Sequence, residues 1–246
     1  MLARSLGLTL VLASAACSVQ ISDGRAPVAS APDGGGGATD AGTPPVAMCT
    51  RRTLFLNFGG VTLTQGASDA TLDRASWLQN ATGTAPRYRS GSATRDDDIR
   101  TIVDRVTAQL AQFPIKVVTA RPTSGNYVMV VFGGTASQVG SRFGAAVTTL
   151  DCGDTRPNDV AWIADNLGLQ RAANTAVGAV GFGLGLTATT DTRDCMCGWD
   201  NGCQSDNSVA CTLGAPIARD PAANQLCAGA GASQDEAATF RAAFCN

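Results

Sequence analysis

The sequence predicts an α/β (α+β) fold, a mixed sheet covered by helices with a cysteine-rich C-terminal part. Three observations carry this. Apolar runs closed by glycine alternate with segments of helical periodicity, in the order strand, helix, three strands, helix, turn-rich stretch, helix. Six of the nine cysteines lie beyond residue 190. The length, 246 residues, suits one domain of ordinary size, with two possible.

The N-terminus reads as an export signal. Arg4 supplies a positive start, Leu6–Ala13 is a short apolar run, and the small residues Ser14, Ala15 and Ala16 lead to Cys17. Such a run is too short to span a bilayer stably, so a cleaved signal fits better than a membrane helix. The Ala15-Ala16-Cys17 ending resembles a bacterial lipobox, which implies a leader over residues 1–17 and a lipid on Cys17. Ser14 departs from that pattern, where an aliphatic residue is usual. The alternative is simple cleavage beside Ala16, which leaves Cys17 unlipidated. Residues 18–48 are rich in Gly, Ala, Pro and Ser and poor in large apolar side chains. They offer little burial to offset ordering entropy and read as a flexible tether. The folded domain then spans 49–246, its cysteine-rich part starting near residue 191.

Within the domain, Thr53–Phe58 is apolar and closed by Gly59-Gly60, the pattern of a strand. Residues 67–92 are polar and broken by Gly83 and Pro86, and read mostly as loop. Asp96–Phe113 is the clearest helix and packs on the sheet. Three aspartates crowd its N-terminus, where the helix dipole favours negative charge. Ile99, Ile102, Val103, Val106, Leu110 and Phe113 share one face, and Pro114 stops it. Ile115–Val118, Asn126–Phe132 and Asp159–Ala164 read as strands. Gly168–Leu186 has a helical apolar face despite five glycines. Ser233–Glu236 has the spacing of a capping box that opens a last helix ending near Phe244.

Removing Cys17 from the nine cysteines leaves eight: Cys49, Cys152, Cys195, Cys197, Cys203, Cys211, Cys227 and Cys245. An even number in an exported chain predicts disulfides. Metal binding is the alternative, but Cys195 and Cys197 are separated by one residue rather than two to four, and the chain has no histidine to complete a site. The net charge is −2, with no basic cluster, so electrostatics give no reason to expect nucleic acid as a partner.

Gly178–Ala188, preceded by the strand at Asp159–Ala164 and followed by Asp191–Trp199, resembles the catalytic half of a metzincin-type zinc metallopeptidase. In that family a strand leads to a helix carrying H-E-x-x-H-x-x-G-x-x-H, and a methionine turn passes beneath the metal. Two histidines four apart share a helical face and bind zinc, the glutamate activates the bound water, and the glycine lets the chain return a third histidine to the metal. Gly185 matches the glycine and Met196 the turn methionine. The metal positions fall on Gly178, Phe182 and Ala188, and the base position on Ala179. The resemblance therefore implies a scaffold with no zinc ligand, base, metal or cofactor, its site plugged by apolar packing around the Phe182 ring. A buried glycine-rich helix in an unrelated α/β domain is the plainer reading. A membrane helix with a Gly181-x-x-x-Gly185 contact is poor, because the run is too short.

The expected function is that of a catalytically inactive metallopeptidase-like protein of the cell envelope, anchored to the membrane through Cys17 or secreted, with a peptide or protein bound in the vestigial cleft. The alternative is a disulfide-stabilised structural or interaction lipoprotein with no peptidase ancestry. A working carboxylate site remains a third possibility if Asp165, Asp191 and Asp194 converge in one cleft.

Overall fold

Parallel pairing buries a strand on both faces, and the apolar runs do this here. In the computed structural model, which describes residues 52–199, 202–214, 216–223 and 226–244, β1 (Arg52–Asn57) sits inside a five-stranded sheet. The export signal, Cys17, the tether, Cys49 and Cys245 lie outside the described residues. After β1 come β2 (Val61–Gln65), β3 (Arg74–Ala75) and β4 (Thr82–Ala85), which form a small separate sheet, β3-β2-β4. Next are α1 (Arg95–Leu110), β5 (Lys116–Val118), β6 (Asn126–Phe132), a short helix α2 (Ala136–Val139), β7 (Ala146–Val147) and β8 (Val160–Ile163). The chain closes with α3 (Leu169–Gly183), β9 (Ile217–Ala218), β10 (Ser233–Gln234) and α4 (Glu236–Ala243).

The main sheet runs β5-β1-β6-β8-β7; β5, β1, β6 and β8 are parallel and β7 is antiparallel to β8, so the sheet is mixed. Alternation sends successive side chains to opposite faces. Leu54, Leu56, Val128, Val130 and Ile163 join the core formed with α1, α3 and α4. Phe55, Met129, Val131, Val160 and Trp162 join a second core, with Leu63, Ala75 and Ala85 of the small sheet. Helices thus cover one face and the small sheet the other. The fold is mixed α/β with segregated elements, as the sequence predicts.

Helix α1 buries Ile102, Val106 and Leu110. It ends at Leu110 rather than Phe113, because a residue before proline avoids the helical region. The stretch read as loop contains β3 and β4, and β2 precedes it. These strands escape a hydropathy reading because their outward residues are threonine: Thr62 faces Thr84 and Thr64 faces Thr82. The predicted capping box is corrected. Ser233 and Gln234 pair with β9, and Asp235 is the N-cap, accepting from the Ala238 amide at 2.7 Å. No described helix is long and apolar enough to cross a membrane.

Among the described residues, three disulfides join Cys152 to Cys227, Cys195 to Cys211 and Cys197 to Cys203. The cysteine-rich segment is therefore stapled twice within itself and once to the loop ahead of β8.

Candidate functional site

The site is built around the C-terminal half of α3. Close approach requires glycine at Gly178 and favours it at Gly181 and Gly183. A Cβ on Gly178 would fall inside contact distance of the Cys195 carbonyl oxygen and the Trp199 Nε1. One on Gly181 would lie 2.7 Å from Met196 Sδ, and one on Gly183 2.9 Å from Asp159 Oδ2. Helix α3 then ends in a Schellman motif. The Leu186 amide donates to the Gly181 carbonyl and the Gly185 amide to the Phe182 carbonyl, with Gly185 at φ +85°.

Met196 lies against that helix end. Its amide donates to Asp194 Oδ1 at 2.7 Å, and its carbonyl accepts from the Trp199 amide. The turn Met196–Trp199 has Gly198 at φ +89°, a position that favours glycine. The disulfides at Cys195 and Cys197 flank Met196 on both sides. This braced turn presents Trp199 to α3, where the indole stacks on Phe182 with ring centroids 5.5 Å apart and planes 25° apart.

Gly178 and Phe182 are thus brought together under one indole. Ala179 is buried in the main core. Ala188 is also buried, and its carbonyl accepts from the Asp220 amide at 2.8 Å. The Phe182 ring is thus covered by a second ring, that of Trp199. Trp199 was not singled out from the sequence as a site residue. Its only signal was an aromatic three residues after Met196, in a stretch crowded with cysteine.

Beside this pair lies a depression of about 390 Å³, lined by Phe143, Ala146, Val147, Thr148, Phe182, Gly198 and Trp199. One wall is β7, the edge of the main sheet. The Ala164 amide donates to the Ala145 carbonyl, so these two form a hydrogen-bonded pair across β7 and β8. Antiparallel alternation then turns the N–H and C=O of Ala146 away from β8, toward the open side.

The three candidate aspartates do not meet. Asp165 accepts from the Arg89 amide, and Asp191 accepts from the Arg193 amide in an exposed turn. Asp194 is buried, its Oδ1 accepts from Thr189 Oγ1 and from the Met196 amide, and its charge is felt by the Glu236 carboxyl at the start of α4. Burial first, and then the Asp194 charge, push the Glu236 carboxyl up to about 8. Burial likewise raises the Asp194 carboxyl, so the two acids disfavour being charged together. Glu236 also accepts from the Gly214 amide and from Gln234 Nε2. A second buried acid, Asp159, is raised to about 7, chiefly by burial. Both groups are enclosed in the protein and take up no surface role. Among the described residues, no three Cys, Asp or Glu side chains converge as metal ligands.

No family model matches the chain, and a comparison with curated proteins finds no match.

Proposed function

We propose that this is a catalytically inactive, metallopeptidase-like binding protein of the cell envelope, taking an extended peptide or protein segment along β7. The Trp199 indole packed on Gly178 and Phe182 is the observation that carries the reading. It fills the space that the metal would need in a metzincin-like domain, and Gly178, Ala179, Phe182 and Ala188 offer no ligand or base. The succession of β8, α3, the Gly185 turn and Met196 against the helix end supports the metzincin-like scaffold.

The peptide mode rests on the edge strand. Ala146 offers one outward donor and one outward acceptor beside an aromatic pocket, the arrangement by which an added strand gains main-chain bonds and a side-chain anchor. The disulfides Cys152–Cys227, Cys195–Cys211 and Cys197–Cys203 support export to an oxidising compartment. Anchoring through a lipid on Cys17 is part of the same proposal.

The test is an array of extended peptides probed with the full chain and with Ala146→Pro. Proline removes the outward N–H without touching a bond to β8. Peptides that bind the native chain and lose binding to Ala146→Pro support the mode. Hits that bind both proteins equally, or an array with none, overturn it. The second reading, a structural envelope module without peptidase ancestry, is favoured by the disulfide-dense C-terminal part and gains ground on either of those outcomes.

A further inference from the structure

The groove along β7 has a definite charge. The Phe143–Trp199 depression shares Ala146, Gly198 and Trp199 with a second one of about 310 Å³, and Phe143, Val147 and Thr148 with a third of about 390 Å³. The three form one trough running past the open edge of the sheet. Its second part is lined by Arg171 and its third by Arg142. Among the described residues no Asp or Glu lines any of the three, although the chain carries more acids than bases, 20 against 18. Arg142 and Arg171 are exposed and, among the described residues, have no carboxylate partner. The Arg142 guanidinium lies over the Phe143 ring, 4.8 Å from its centroid, which holds it at the rim.

An apolar centre between two cations that no acid of the groove neutralises defines a complementary ligand. Resting on the peptide-binding reading above, we infer that the partner is an acidic extended segment: an apolar side chain seats against Phe143 and Trp199, with carboxylates before and after it facing Arg142 and Arg171. The cations select the partner, and the edge strand and aromatic pocket supply most of the affinity.

Three fluorescein-labelled Gly-Ser peptides with one central Leu test this, the Leu being flanked by Glu, by Lys or by Ser. Each is titrated against the full native chain and the Arg142→Glu/Arg171→Glu double variant. Both arginines are exposed, so the variant keeps the core. The Glu peptide should bind the native chain roughly tenfold more tightly than the Lys peptide at low salt. The preference should reverse in the double variant and shrink at high ionic strength. Equal binding of all three peptides, or an unchanged preference in the variant, overturns the acidic partner but leaves the groove in use. Failure of every peptide to bind overturns the peptide-binding reading as well.

Discussion

The Trp199 indole stacks on Phe182 and fills the space above Gly178, so a residue of the cysteine-braced turn completes the packing of α3. This relation makes Gly178 sensitive. Gly178→Ala should destabilise the domain by about 1–3 kcal/mol, because the added methyl meets the Cys195 carbonyl as well as the indole. Urea unfolding measures it. Adding Trp199→Ala should cost less in the Gly178→Ala background than alone, since one of the two clashes disappears. Strict additivity would mean that the indole does not press on Gly178.

Gly185 holds a left-handed conformation, and its Cβ position is 2.8 Å from the Asp151 carbonyl. Gly185→Ala should lower stability by about 1–2 kcal/mol, through the loss of the α3 cap. Gly144→Ala, where a Cβ would meet open space and φ is not positive, serves as the control and should be neutral within error. Equal effects at the two positions would remove the Schellman turn from the account.

The buried carboxyls set the pH dependence of stability. Glu236 rises from 4.5 to about 8 and Asp159 from 3.8 to about 7 on folding, so the native state holds protons that the unfolded chain has released. The stability they contribute is fully present below about pH 4 and is lost as pH rises toward about 8. The unfolding midpoint should therefore fall between pH 5 and 8, and Glu236→Gln should flatten part of that slope. The amide carries no proton to lose over this range. A midpoint that climbs over this window would contradict the raised carboxyls.

Disulfide mapping provides a covalent check. Non-reducing digestion should release linked peptides joining Cys152 to Cys227, Cys195 to Cys211 and Cys197 to Cys203. Removing the Cys195–Cys211 bridge as a double alanine variant should cost about 3 kcal/mol on chain entropy alone. It should also weaken peptide binding, because the same bridge steadies the Trp199 turn. Any other pairing among these six cysteines would remove the brace.

Several elements were legible because their burial is one-sided or complete. The apolar residues of α1 recur with helical spacing, and Asp159–Ala164 is a run of the sort a doubly covered strand needs. Helix α3 was legible despite its glycines because its remaining residues are small and apolar, and the structure explains each glycine by what presses on it. Strand β7 was not legible, because two residues are too few for alternation to show. Strands β2 and β4 were hidden by outward threonines. Asp235 was hidden by a better-known pattern two residues ahead of it. The nearness of Asp194 to Glu236 and the seating of Trp199 both depend on long-range contacts that sequence spacing does not encode. Of the positions named from sequence, Gly178, Phe182 and Met196 lie at the indole and its turn, whereas Ala179 is buried in the main core and the Ala188 carbonyl accepts from the Asp220 amide.

Zinc retention tests the central claim most directly. The purified full chain is incubated with zinc, exchanged into metal-free buffer and measured by inductively coupled plasma mass spectrometry. If, as proposed, Trp199 and Phe182 occupy the metal position of a metzincin-like scaffold, the chain should retain no zinc above the buffer blank. One zinc ion held per chain, released by chelator, would contradict the account.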